Sequence, residues 1–234
     1  MIAFCFFLLV CAVALAHVLA AGVSGRRLKH PKARLQRDLS ITVVAVMVVL
    51  GVTAAVSAAD LLANFDSFPP PALPFFLFHF LATIGLGLSA YGRRLADGLP
   101  VWALIGYQAF RIPVELTLHA LYLEGRIPVQ MTYVGLNFDI VTGLTAIPVA
   151  WLAWKGRLTR VAMLAWNTLG LLLLANIVTI AILSMPTTMR VFMNHPPNTF
   201  VAEMPYTWLP TFLVTSALLG HVLVYRVKSG RGSS

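Results

Sequence analysis

The chain has 234 residues, 59% of them hydrophobic and 11% charged, and its mean hydropathy is +0.84. A soluble globular domain carries charge on about a quarter of its residues, so this composition excludes one and points to a single domain whose solvent is lipid. The net charge of +9 does not indicate nucleic acid, because the basic residues are spread between hydrophobic segments and are not gathered on one polar domain.

A helix rises about 1.5 Å per residue and a bilayer core is about 30 Å thick, so roughly twenty apolar residues span it. Seven such stretches follow one another at 2–22, 39–58, 73–92, 101–123, 136–154, 161–184 and 207–226. They predict an all-α polytopic membrane protein: a seven-transmembrane-helix bundle in one domain over 1–228, with a short polar C-terminal tail at 229–234. The first stretch ends in small residues, as a cleaved secretory signal does. No positive charge precedes it, however, and Arg26, Arg27, Lys29, Lys32, Arg34 and Arg37 follow it, which reads as a retained first helix. Its two cysteines, Cys5 and Cys11, point in different directions on one helix and supply no disulfide framework or CxxC motif.

Fourteen of the 17 Lys and Arg residues fall at or after the ends of the odd-numbered stretches, in the groups 26–37, Arg93 and Arg94, 155–160 and 226–231. Only Arg126 and Arg190 follow even-numbered stretches, and Arg111 lies inside the fourth. The positive-inside rule then places the N-terminus outside and the C-terminus in the cytoplasm, in a bacterial-type cytoplasmic (inner) membrane. Trp102, Trp151, Trp154 and Trp166 fall near the inner interface, with Tyr206 and Trp208 at the outer one. Gly51 with Ala55 and Gly85 with Ser89 have the spacing that lets membrane helices approach closely. Of the two long outer connections, 64–74 carries Pro69, Pro70 and Pro71, which favour extended backbone. The other, 186–205, reads as a short surface helix with a proline turn or as a segment folded back over the bundle.

Ionisable groups at membrane depth are costly and mark sites by default. In the fourth stretch Gln108, Arg111, Glu115 and His119 recur at spacings of three, four and four, forming one stripe on a helix face in which Arg111 reaches Glu115 and Glu115 reaches His119. Pro113 between them removes a backbone donor and bends the helix. An Arg–Glu pair on such a face also serves simply to fix helix register. His79 on the third stretch and Asp139, with Asn137 and Thr142, at the start of the fifth lie at similar depth. Asp139 has a local reading as well, as an acid in a first helical turn with Asn137 as its cap.

Four functions are open at this point. Gln108, Arg111, Glu115, His119, His79 and Asp139 would form an outward-facing pocket that binds or passes a small polar solute or ion. His79, Glu115, His119 and Asp139 carry the donor types of a divalent metal site, zinc or iron, and hence of a metal-dependent membrane enzyme. His17 with His221 and His79 with His119 give two histidine pairs at two depths, the ligand pattern of a b-type dihaem electron-transfer protein; taken singly, His17 and His221 read as hydrogen bonded to a neighbouring helix. The chain also reads as a structural or assembly subunit of a membrane complex. Asn167 and Asn176 lie on opposite faces of the sixth stretch and suggest separate interhelical hydrogen bonds. No Lys occurs inside a stretch, which excludes a retinal Schiff base, and no Walker loop, GxSxG elbow or dinucleotide fingerprint is present.

The segments FRIPVELTL (110–118), IPVQMTYVGLNFDIVTGLTA (127–146) and TWLPTFLV (207–214) resemble small multi-pass membrane proteins of bacteria. The resemblance covers about the second half of the chain; it implies a polytopic membrane fold and carries no activity with it. The seven-helix membrane hydrolases related to alkaline ceramidases need a paired HxxxH on the last helix, and His221 has no histidine four residues away.

Overall fold

The computed structural model describes residues 1–228, so the expected tail at 229–234 lies outside them. The described residues are helical, without strands: α1 Ile2–Arg27, α2 Lys32–Ala58, α3 Ala72–Leu88, α4 Ala90–Gly98, α5 Val101–Gly106, α6 Arg111–Leu123, α7 Asp139–Trp154, α8 Arg160–Leu183 and α9 Val214–Arg226. A 3-10 turn, Tyr107–Phe110, joins α5 to α6, and a π-helical turn, Leu209–Leu213, opens α9. Four helical stretches are long and apolar enough to cross a bilayer, Ile2–Arg27, Lys32–Ala58, Arg160–Leu183 and Leu209–Arg226, and a fifth exists if α3 and α4 count as one span. This is a helical protein built for a membrane.

Departures from the expected spans have local causes. The stretch 73–92 was expected to be one helix, but α3 stops at Leu88 and α4 leaves at 63°. Ser89 makes the break: its backbone is extended and its Oγ accepts from the Tyr91 and Gly92 amides, capping α4 as a new N-terminus. In 101–123 the helix tightens to 3-10 geometry over Tyr107–Phe110 and resumes at Arg111. Pro113 then falls in the first turn of α6, where its missing N–H costs little. The fifth helix begins at Asp139 and has 16 residues, a length of about 24 Å, short of a bilayer core. The preceding connection dips into the bundle, with Ile127, Met131, Thr132 and Asn137 all 1% exposed or less.

α9 is the central helix. Its apolar stretch is 72% buried inside the protein, against 11–22% for the other three long helices, and α3, α8, α4 and α5 pack around it. Lipid offers no hydrophobic drive for helix association, so close approach and polar links must hold the bundle. The expected small-residue contacts at Gly51 and Gly85 are not used, since nothing lies within 4 Å of where a side chain would begin. Gly87 and Gly170 do this instead: a Cβ at Gly87 would stand 2.6 Å from Val222, and one at Gly170 would stand 2.7 Å from His221 and 2.8 Å from Thr142.

Contacts tie the two ends together separately. At the basic end Arg226 donates to the carbonyls of Gly87 and Ser89, Arg93 donates to the Arg226 carbonyl, and Ser24 donates to the Arg94 carbonyl. At the other end Ser57 donates to the Ala202 carbonyl and accepts from Thr207, while Arg126 meets Glu203 at 2.9 Å. The connection 186–205 folds back over the bundle and forms no α-helix; Asn198, Phe200 and Val201 are 3% exposed or less, and Asn198 donates to the Ala181 carbonyl.

Candidate functional site

The polar residues of the bundle converge on Arg111. It lies ten residues along the helical run that starts at Val101, about 15 Å from the basic end, and is 2% exposed. Its Nη1 donates to Asp139 Oδ1 at 2.6 Å and to the Gly170 carbonyl at 3.3 Å, and its Nη2 points at His221 Nε2 at 3.0 Å. Three helices thus supply its partners: α7, α8 and α9.

Partner chemistry fixes the state of His221. A guanidinium only donates, so Nε2 accepts from Arg111. Nδ1 then carries the ring proton and donates to Asn167 Oδ1 at 2.8 Å, while the Asn167 amide nitrogen donates to the His221 carbonyl at 3.1 Å, which orients that amide. Both ring nitrogens are occupied.

Beyond Asp139 the network continues through the dipping connection. Asn137 Oδ1 accepts from the Asp139 amide at 3.0 Å, one residue before the N-cap position that Phe138 takes, and Asn137 Nδ2 donates to Glu115 Oε2 at 2.6 Å and to the Met131 carbonyl at 3.1 Å. Glu115 is 1% exposed and takes part in no ion pair among the described residues. Gln108, fully buried one turn before Arg111, donates to the Ala217 carbonyl at 3.1 Å. Three buried polar atoms of this neighbourhood have no hydrogen-bond partner in the protein: Gln108 Oε1, Arg111 Nε and Thr142 Oγ1. Such orphans are few in native proteins and each calls for a reason.

Of the six pocket residues read from the sequence, Arg111, Glu115 and Asp139 are joined in one network, Gln108 stands one turn before Arg111 on the Ala217 carbonyl, and His79 and His119 have no hydrogen bond to any of them. The stripe along one helix is real as a register, but its pairing is not along the helix. Arg111 turns to Asp139 on α7 and His221 on α9, and Glu115 turns to Asn137 in the connection before α7. His119 lies on the Tyr133 ring, with centroids 4.6 Å apart. His79 is on α3, which packs against α4 and α9, and its Nδ1 donates to the Phe75 carbonyl of its own helix at 2.8 Å. The donor set His79, Glu115, His119 and Asp139 is therefore not assembled; among the described residues no three His, Cys, Asp or Glu side chains are grouped to hold a metal ion. The histidines read as haem pairs have other partners in the structure. His221 spends both nitrogens in the network. His17 Nδ1 donates to the Val13 carbonyl, and its Nε2 lies 3.4 Å from Ser216, which is five residues, about 140°, around α9 from His221.

Every polar member of the cluster is 5% exposed or less, so the cluster is shut off from the surface, where the sequence led us to expect an open pocket. A large cavity approaches instead from the basic end, lined by Tyr107 and Gly220, and Gln108 Nε2 presses on Gly220. The sequence offers His221 either as half of a haem pair or as hydrogen bonded to a neighbouring helix, and the structure has the second, to Asn167, which was expected to make a separate interhelical bond. The signal that joins them to Arg111 is Gly170, the one residue on α8 small enough for His221 and Thr142 to meet there. Comparison of the chain with protein-family models, with curated proteins and with solved structures finds no match.

Proposed function

We propose that this chain is a seven-span protein of a bacterial cytoplasmic membrane, N-terminus outside and C-terminus in the cytoplasm, that binds or passes a small ion at the Arg111 cluster. Support for the topology comes from the clustering of α1, α3, α4 and α9 termini and their arginines at one end and of the Arg126–Glu203 pair at the other. One observation carries the functional reading. Arg111 and Asp139 already neutralise each other, yet a second carboxylate, Glu115, is buried next to them with only an amide for a partner. An uncompensated charge at that depth costs several kcal/mol, and a small monovalent cation, the proton included, supplies the missing charge.

Arg111 in this reading is an electrostatic post, holding Asp139 so that Glu115 remains the exchangeable ligand. The orphaned Gln108 Oε1 and Thr142 Oγ1 provide further oxygens for the ion. The test is cation-dependent flux in liposomes containing the purified protein, read with a pH-sensitive dye and with sodium and potassium gradients. Flux above protein-free liposomes that Glu115→Gln abolishes and His79→Ala leaves intact is the expected result. Flux equal in wild type and Glu115→Gln would overturn the reading.

A further inference from the structure

Between α1, α2, α4, α5 and α9, at the basic end, lies a crevice of about 670 Å³, within the range of roughly 300–1,000 Å³ that takes small molecules. Its walls are aliphatic and it opens sideways: Leu19, Ile41 and Trp102 on its edges are 57%, 55% and 46% exposed, which in a bilayer means facing acyl chains. The polar groups at its mouth are joined to one another. Asp38 meets Arg94 at 3.5 Å and His30 at 3.8 Å, the Arg94 guanidinium lies over the Tyr91 ring, and the Tyr91 hydroxyl bonds Thr42 at 2.7 Å. A second polar group, His17, Tyr107 and Ser216, lines the inner end. His17 is ten residues along α1 from Arg27, and Ser216 ten residues along α9 from Arg226, about 15 Å in each case and half the thickness of a bilayer core. His17 Nδ1 donates to the Val13 carbonyl, which leaves Nε2 as an acceptor, 3.4 Å from Ser216 Oγ, and Ser216 neighbours the Tyr107 hydroxyl. The His17 and Tyr107 rings stand at 82° with centroids 6.0 Å apart, the two sides of a corner.

We propose that this crevice binds an isoprenoid quinone, with the quinone ring at His17, Tyr107 and Ser216 and the tail along the aliphatic walls to the lateral opening. The lateral opening admits a ligand from the bilayer without passage through water, so the body of the ligand is apolar. Charge is costly at the depth of His17 and Ser216, so its polar end is neutral. A flat ring packs against both sides of the corner made by His17 and Tyr107, where a branched glycerol head would leave ring faces uncovered. Quinone oxygens accept from the Tyr107 and Ser216 hydroxyls. A phospholipid fits neither end, because its phosphate is excluded from mid-depth and the groups at the mouth already hold one another. The site is separate from the Arg111 cluster, and its occupancy does not depend on the ion reading above.

The test is tryptophan fluorescence of the full-length protein in detergent, titrated with decylubiquinone, whose ring quenches indole emission. Wild type is expected to show quenching that saturates at one quinone per protein, and Trp102→Phe to lose most of the saturable part. Tyr107→Phe removes one hydrogen bond to the ring and is expected to weaken binding about fivefold. Decylbenzene, the same tail on a ring without oxygens, is expected to compete more weakly than the quinone by at least about that factor. Ala20→Phe and Ala103→Phe narrow the crevice and are expected to abolish saturable quenching while an unchanged melting temperature shows them folded. Quenching without saturation in wild type would overturn the proposal. So would decylbenzene or dioctanoylglycerol competing as well as the quinone itself, or saturation undiminished in both narrowed variants.

Discussion

Removing one charge of the Arg111–Asp139 pair tests whether the bundle is organised around it. In Asp139→Asn the shape is kept, but Arg111, 2% exposed, loses the carboxylate that lies 2.6 Å from its Nη1. Unit charges about 4 Å apart attract by about 4 kcal/mol at an effective dielectric constant near 20, and stripping one partner from a buried pair costs about 3–5 kcal/mol. Glu115, one turn along α6, can swing toward Arg111 and return part of that. The expected loss is about 3 kcal/mol, roughly a hundredfold in the unfolding constant. The assay is equilibrium unfolding in mixed detergent and SDS micelles, followed by tryptophan fluorescence. Asp139→Asn with Glu115→Gln should lose more than the two single losses summed, because no carboxylate is then left to answer Arg111. Arg111→Met in the Asp139→Asn background should restore much of the stability, since a neutral apolar pair replaces a lone charge. A single Asp139→Asn variant within 0.5 kcal/mol of wild type would refute the reasoning.

Three further outcomes follow from the same geometry. Gly170→Ala drives a methyl group into His221 and Thr142 and should cost about 1–3 kcal/mol in the same unfolding assay, whereas Gly51→Ala, with open space around it, should be neutral or slightly stabilising through helix propensity. Ser57→Ala removes the link between α2, the Ala202 carbonyl and Thr207 and should cost about 0.6–1.7 kcal/mol, the range of interhelical hydrogen bonds in membranes. Arg126→Ala breaks a pair whose side chains are 37% and 54% exposed, and should change stability by less than about 1 kcal/mol, with that change shrinking as salt is raised.

The helical fold was readable because lipid imposes length and hydropathy directly on each segment: all seven stretches are helical over most of their expected length. Breaks inside them were less readable. Ser89 starts a new helix by capping with its own hydroxyl, and nothing in the hydropathy of 73–92 distinguishes that from a polar residue tolerated within a span. The site was half readable. The spacing of Gln108, Arg111 and Glu115 fixes a shared face from the chain alone, and Asp139 could be placed near it by depth. Which histidine joins them depends on which helix sits at the centre, and a hydropathy profile does not say that α9 is the most buried of the long helices. His79 and His119 matched in depth but belong to helices with different neighbours, α4 and α9 for one and α1 and α7 for the other.

Whether the Arg111 cluster takes up a cation turns on the state of the Glu115 carboxyl. Infrared difference spectra of the protein in lipid, recorded while protons or alkali cations are added, should show a single carboxyl band that responds to the cation and is missing in Glu115→Gln, with the Asp139 signal unchanged while Arg111 is present. A spectrum in which no carboxyl band responds to any cation, or in which the response survives Glu115→Gln, would contradict it.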